Sequence, residues 1–140
     1  MKYVVLLFPR ASPSRLDEAL RALGENMRIK RSGQFVPGTR SRAKALLKCI
    51  YGDKQWFDRK SAEKHTRKKY AGMYDQPVRF YVVKSSKGLK HVVRCKKRMR
   101  SIFGIGTSSV HINDYRSETR DLLKFLSKHR ERSSGNPSET

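Results

Sequence analysis

The chain has 140 residues, with 33 Lys and Arg against 12 Asp and Glu and a net charge of +21. That length suits one domain, and the charge points to a polyanionic partner and away from metal chemistry, which a strongly positive field opposes. Residues 28–100 hold 23 basic and four acidic side chains, a net +19, while residues 1–27 and 101–140 are each +1, which excludes a disordered basic tail as the source of the excess.

Tyr3 to Phe8 is a continuous apolar run, as expected of a strand covered on both faces. It imitates the apolar part of a signal peptide but stops at Pro9-Arg10, so no signal peptide is expected, and no stretch reaches the roughly 20 apolar residues of a membrane span. Ser12 or Ser14 can cap the next element, with Pro13 in its first turn and Asp17 and Glu18 at its positive end. Leu16, Ala19, Leu20 and Leu23 form the apolar stripe of a helix that Gly24 is expected to stop.

Residues 27–36 alternate only briefly around Gly33 and read as an edge strand or a basic loop, closed by Pro37-Gly38. From Ser41 to Tyr51 the spacing of Ala43, Leu46, Leu47 and Ile50 predicts a helix, with Gly52 as its stop. A second helix is predicted from about Gln55 to Tyr70, anchored by Trp56, Phe57 and Tyr70. It carries Arg59, Lys60, Lys64, Arg67, Lys68 and Lys69, with positions 60, 64 and 67/68 on one face. Such a stripe is a solvated face in most proteins, and its length and neighbours are what make it a phosphate-binding candidate.

Val78 to Lys84 is rich in β-formers, and Leu89 to Cys95 follows after Ser85-Ser86-Lys87-Gly88, which together predict a β-hairpin. Residues 79–100 contain nine basic side chains and no acid: Arg79, Lys84, Lys87, Lys90, Arg94, Lys96, Lys97, Arg98 and Arg100. With Val78, Phe80 and Val82 turned to the core, Arg79 and Tyr81 would share the other face with Lys90 and Arg94. The alternative is an edge hairpin blunted by its charges. A short helix is then predicted up to Gly104, a last strand over Ser109 to Ile112, and a closing helix capped by Asn113 or Asp114 with Leu122, Leu123, Phe125 and Leu126 as its apolar face. Basic Lys124, Lys128, His129 and Arg130 suit that helix's C-terminal end.

The fold class expected is α+β, a small mixed or antiparallel sheet with helices packed on it, with a ferredoxin-like variant as one form. A single domain is expected over residues 1–132, followed by a disordered tail at 133–140. Cys49 and Cys95 lie 46 positions apart, with no Cys-x-x-Cys and no His pair at zinc spacing, which fits a reducing intracellular compartment without a metal site.

The densest chemical cluster is Lys96, Lys97, Arg98 and Arg100, then Gly104-Ile105-Gly106, Thr107, Ser108 and Ser109, then His111 and Asp114. Glycines let backbone N–H groups approach a phosphate, hydroxyls donate, and the cations supply charge. Gly104-x-Gly106 lacks the third glycine of a dinucleotide fingerprint and the chain has no P-loop, so a plain glycine turn is the alternative.

Arg100, Phe103-Gly104, Val110-His111, Asp114 and Glu118 ahead of an apolar helix resemble the C-terminal core of nucleoside diphosphate kinases. Pro9 after the first strand and Gln76-Pro77-Val78 before a later one resemble further islands of that family. The resemblance implies a phosphoryl-accepting histidine at His111, held by Asp114 or Glu118. The chain departs from the family at Phe8 and Arg10, where a lysine and an aspartate are expected, and at Ile112-Asn113, where Gly-Ser follows the histidine. The segment between the strand at 78–83 and His111 is also too short for the family's usual phosphate-binding elements.

His111 thus has three readings: a nucleophile, a donor to phosphate, or a strand histidine satisfied by its neighbours. His65 and His129 lie in basic helical stretches and are expected at the surface. Scattered carboxylates and the absence of a Cys/His pair leave other catalytic templates unfilled, and no cofactor is called for. The expected function is binding of nucleic acid, RNA before DNA, through the two basic clusters, with Trp56, Tyr74 and Tyr81 as base-stacking candidates. The alternatives are a nucleotide-binding or phosphotransfer domain centred on His111, and a structural component of a ribonucleoprotein complex.

Overall fold

The computed structural model describes residues 2–11, 13–51, 57–105, 109–112 and 116–133. Its first strand, β1 (Lys2–Leu7), is buried from Tyr3 onward, as its unbroken apolar run requires. A 3-10 turn (Pro13–Arg15) leads into α1 (Leu16–Asn26), with Arg15 and not Ser14 at the cap position of the α-helix; the other cap candidate, Ser12, lies outside the described residues. Gly24 does not stop this helix. It faces open space, the helix continues for two residues, and Met27 ends it in extended conformation with its N–H donating to the Leu23 carbonyl. A solvent-facing glycine costs a helix about 1 kcal/mol, too little to end one that is already anchored by Ala19, Ala22 and Leu23.

Residues 28–35 form strand β2 (Arg28–Phe35), exposed along most of its length and bulged between Ile29 and Arg31. Gly33 is needed there because a Cβ at that position would lie 2.5 Å from the Phe80 ring. Helix α2 (Arg40–Tyr51) buries Ala43, Leu46, Leu47 and Ile50, the predicted stripe. Its expected stop, Gly52, lies outside the described residues, as does Trp56. Helix α3 (Arg59–Tyr70) begins later than predicted because Asp58 caps it, its carboxylate accepting from the Ser61 N–H at 2.8 Å. Ala71 in the left-handed region (φ 48°) and Gly72 (φ 79°) end it.

Strand β3 (Val78–Lys84) is followed by α4 (Leu89–Phe103), which overturns the predicted hairpin. Residues 89–95 are the first two turns of a helix whose buried positions are Val92, Cys95, Met99 and Phe103, a spacing of three and four that runs through both halves of the segment. The link between the elements is a helix entry: Ser85 Oγ accepts from the Lys87 N–H and donates to the Lys87 carbonyl, and Gly88 takes the N-cap position. Gly104 (φ 75°) ends the helix as predicted. Strand β4 (Val110–Ile112) and α5 (Arg116–Ser133) complete the chain, the latter burying Leu122 and Leu126. Helix α5 thus runs one residue past the expected domain end. Its proposed caps Asn113 and Asp114, and residues 134–140, lie outside the described residues.

The fold is α+β, and its sheet is wholly antiparallel in the order β2-β3-β1-β4. Strands β1 and β2 run parallel on either side of β3, and β3 and β4 on either side of β1, so the two βαβ crossovers interleave in the split arrangement of ferredoxin-like folds. Both faces of the sheet are covered. On one, Tyr3, Val5, Leu7, Tyr81, Val83, Val110 and Ile112 pack against α1 and α4. On the other, Val4, Leu6, Phe8, Phe35, Val78 and Phe80 pack against α2, α5 and Tyr70 of α3. No helix among the described residues is long and apolar enough to cross a membrane.

Candidate nucleic-acid interface and the His111 cluster

Helix α3 turns Ala62, Thr66, Lys69 and Tyr70 inward. The opposite face therefore carries Lys60, Lys64, Arg67 and Lys68, all exposed, with Arg59 exposed at the helix start. None of these five makes an ion pair among the described residues. The helix's one acid, Glu63, is held by Arg40 and Lys44 of α2 and does not neutralise the row. Cations in the last turn also favour the helix dipole, which accounts for Arg67 and Lys68 without a ligand but not for Lys60 and Lys64.

Lys69 is not part of this row. It is 2% exposed, because position 69 lies one turn beyond Ala62 and Thr66 on the buried side. Its ammonium sits 4.7 Å from the centre of the Phe8 ring and 5.9 Å from that of Tyr51, which offsets part of its lost hydration. Burial, reinforced by the charges of Arg100 and Lys68, brings its pKa down to about 7.

The second predicted cluster is redistributed by the change from hairpin to helix. Lys90, Arg94 and Lys97 line the outward face of α4, with Lys87 exposed just before it. Arg98 is exposed and paired with Glu25 of α1 at 3.4 Å. Lys84 is exposed at the end of β3, and Arg79 and Lys96 are half-buried. Arg100 turns inward, its Nε and one terminal nitrogen both donating to the Val110 carbonyl at 3.1 and 3.0 Å. It is thus a clamp on β4 rather than a surface contact. Since α3 and α4 lie on opposite faces of the sheet, the structure does not join the two clusters into one surface.

The stacking candidates change as well. Tyr81 is 8% exposed and packed under α1 and α4, because the face it shares with Arg79 is a second core and not an open platform. Tyr74 is half-buried with its ring 5.9 Å from that of Tyr70. Trp56 lies outside the described residues, as do Gly106, Thr107, Ser108 and Asp114 of the glycine-hydroxyl loop and the side chain of Glu118.

His111 is buried at 8% exposure on β4, paired in register with Leu6. Its Nδ1 lies 3.4 Å from the Tyr51 hydroxyl, and the two rings meet edge to face. Tyr51 in turn packs on Phe57 and His65. His65 is therefore not a plain surface residue. Burial, with Lys69, Lys68 and Lys64 adding charge, holds its pKa below the usual imidazole range. Tyr51, His65, Lys69, Arg100 and His111, from α2, α3, α4 and β4, thus share one end of the sheet. The sequence marked Tyr51 only as the last turn of a helix, and the one signal that could have singled it out is an aromatic just before a glycine.

An open cleft of about 530 Å³ between α2 and α3 is lined by Lys44, Lys48, Phe57, Asp58, Arg59 and Ala62. Sequence reasoning missed Lys44 and Lys48, whose i,i+4 spacing on α2 places them beside α3. Among the described residues no three His, Cys, Asp or Glu side chains come together as metal ligands, and both cysteines are free thiols. No protein-family model matches the chain, and no curated protein sequence matches it.

Proposed function

We propose that this protein binds nucleic acid through its phosphates, with the outward face of α3 as the principal contact. The observation that carries this reading is the row Lys60, Lys64, Arg67 and Lys68, exposed and without an ion pair among the described residues, beside an acid already engaged by Arg40 and Lys44. Lys48 and Arg59 in the adjoining cleft extend the positive surface. Phosphates are common to RNA and DNA. The reason for preferring RNA, an open sheet with stacking aromatics, is weakened by the helices covering both faces. A salt titration of binding to short RNA and DNA tests the reading: log K is expected to fall with log salt by about 0.7–0.9 per phosphate contact. The triple substitution K60Q/K64Q/R67Q is expected to weaken binding at low salt. Absence of binding by the wild type at low salt, or an undiminished affinity in the variant, refutes it.

A second reading, nucleotide binding or phosphotransfer at His111, is favoured by the placement of its ring against Tyr51 at the end of the sheet shared with Lys69 and Arg100. A nucleophile needs an orienting partner and a cationic setting for the phosphoryl group; the Tyr51 hydroxyl 3.4 Å from Nδ1 supports the first, and the neighbouring Lys69 and Arg100 side chains support the second. Acid-labile labelling by a radioactive nucleoside triphosphate, lost in H111A, is the expected result. An unlabelled wild-type protein ends the catalytic claim.

A further inference from the structure

The predicted basic hairpin would have placed all the charge of residues 79–100 beside the sheet. The structure instead builds a second helical row with the same spacing as the first. Lys60, Lys64 and Arg67 stand at i, i+4 and i+7 on α3, and Lys90, Arg94 and Lys97 stand at i, i+4 and i+7 on α4. At 1.5 Å per residue each row is about 10 Å long. All six side chains belong to exposed residues, and none makes an ion pair among the described residues.

The two rows belong to helices that bury their apolar residues in different cores. Helix α4 inserts Val92, Cys95, Met99 and Phe103 into the core on the side of Val5 and Val83, and α3 inserts Tyr70 into the core on the side of Val4 and Phe8. Lys90, Arg94 and Lys97 lie opposite the first set on their helix, and Lys60, Lys64 and Arg67 lie on the side of theirs away from Ala62, Thr66 and Lys69. The sheet stands between. Each row offers its own run of three cations to a phosphate backbone, and the two rows share no residue.

We propose that one molecule bridges two nucleic-acid segments, one on the α3 row and one on the α4 row. This rests on the phosphate-binding reading above and goes beyond it by assigning two independent sites to a single chain. The bridging arises from the fold: the crossover that carries α4 lies on the face of the sheet opposite α2 and α3, so the charge is divided between two sides.

The test uses two short duplexes too small to reach both rows, one carrying a donor and the other an acceptor fluorophore, mixed with the full-length protein at low salt. Anisotropy reports binding of either duplex alone, energy transfer reports their joint capture, and sedimentation equilibrium gives the mass of the complex. Transfer is expected to rise with protein and to fall again when protein exceeds duplex, and the complex should hold two duplexes on one chain. K60Q/K64Q/R67Q and K90Q/R94Q/K97Q should each keep binding one duplex, reduce the stoichiometry from two to one and lose the transfer. Melting curves matching the wild type confirm that these exposed substitutions leave the fold intact. One duplex per chain without transfer overturns the bridging while leaving the binding reading standing, as does transfer that survives in K90Q/R94Q/K97Q or complexes in which a protein dimer holds one duplex per chain. No anisotropy change at any salt overturns both.

Discussion

The rings of Tyr51 and His111 meet edge to face, with centroids 5.4 Å apart and planes at 77°, and the phenol oxygen lies 3.4 Å from Nδ1. This ties the end of α2 to β4, two elements 60 residues apart in the chain. The contact is long for a hydrogen bond, so its net worth is at the low end of the usual range. Tyr51→Phe keeps the ring packing and is expected to cost about 0.5 kcal/mol in denaturant unfolding. Tyr51→Ala also loses the aromatic contacts and is expected to cost about 3 kcal/mol or more. Equal losses in the two variants would show that the hydroxyl, not the ring, holds the pair.

Lys69 makes stability depend on pH. Its pKa falls from an ordinary 10.5 to about 7 in the folded protein, so across that interval the unfolded chain binds a proton that the folded one does not. Stability should therefore rise with pH from about 7, by at most about 1.4 kcal/mol per pH unit. Below 7 both states are protonated and the full cost of burying the charge remains. Above about 9 the buried Cys95 thiol and the Tyr70 and Tyr81 phenols, all shifted upward, pull the other way. Melting curves between pH 7 and 9 should climb for the wild type and be flatter for Lys69→Met. A flat wild-type curve would remove this account of Lys69.

Gly33 lies against the Phe80 ring, where a Cβ would be 2.5 Å from Cζ and 2.8 Å from Cε2. Phe80 is 1% exposed in the core, and its ring cannot retreat without displacing its neighbours. Gly33→Ala is expected to destabilise by about 1–3 kcal/mol. The same change in a Phe80→Leu background should cost less than it does in the wild type. Strict additivity would mean that the ring and the missing Cβ are not in conflict.

Asp58 connects stability to the interface. Its carboxylate accepts from the Ser61 N–H at 2.8 Å, and that bond holds its pKa below the ordinary 3.8. Asp58→Ala should fray the first turn of α3, which carries Arg59 and Lys60, and should weaken nucleic-acid binding although it removes a negative charge. Asp58→Ser, which keeps a capping oxygen, should bind at least as tightly as the wild type. Tighter binding by Asp58→Ala would show that the charge at this position matters more than the cap.

The elements legible in the sequence were those whose environment repeats along the chain. The unbroken run of β1, and the three- and four-residue spacing in α1, α2 and α5, each describe a surface that a neighbour must cover. The segment 89–95 was misread because Leu89, Val92 and Val93 suit a strand over that window alone. Only with Met99 and Phe103 does the helical period become visible, and Leu89 itself is 48% exposed. At Gly24 the error had the opposite origin: a local stop signal was overruled by packing on either side of it.

By itself the sequence determined that a small α+β domain carries nearly all of its positive charge between residues 28 and 100, because composition and periodicity are properties of short windows. Only the tertiary structure decided where that charge goes. It buried Lys69, turned Arg100 onto the Val110 carbonyl, joined Tyr51 to His111, and put the rows of α3 and α4 on opposite faces of the sheet. The physical reason is that the period of a helix says which residues share a face. Which side of the sheet that helix covers, and so which way its outward face points, depends on strand order and on the crossovers between strands, and these arise from contacts between residues far apart in the chain.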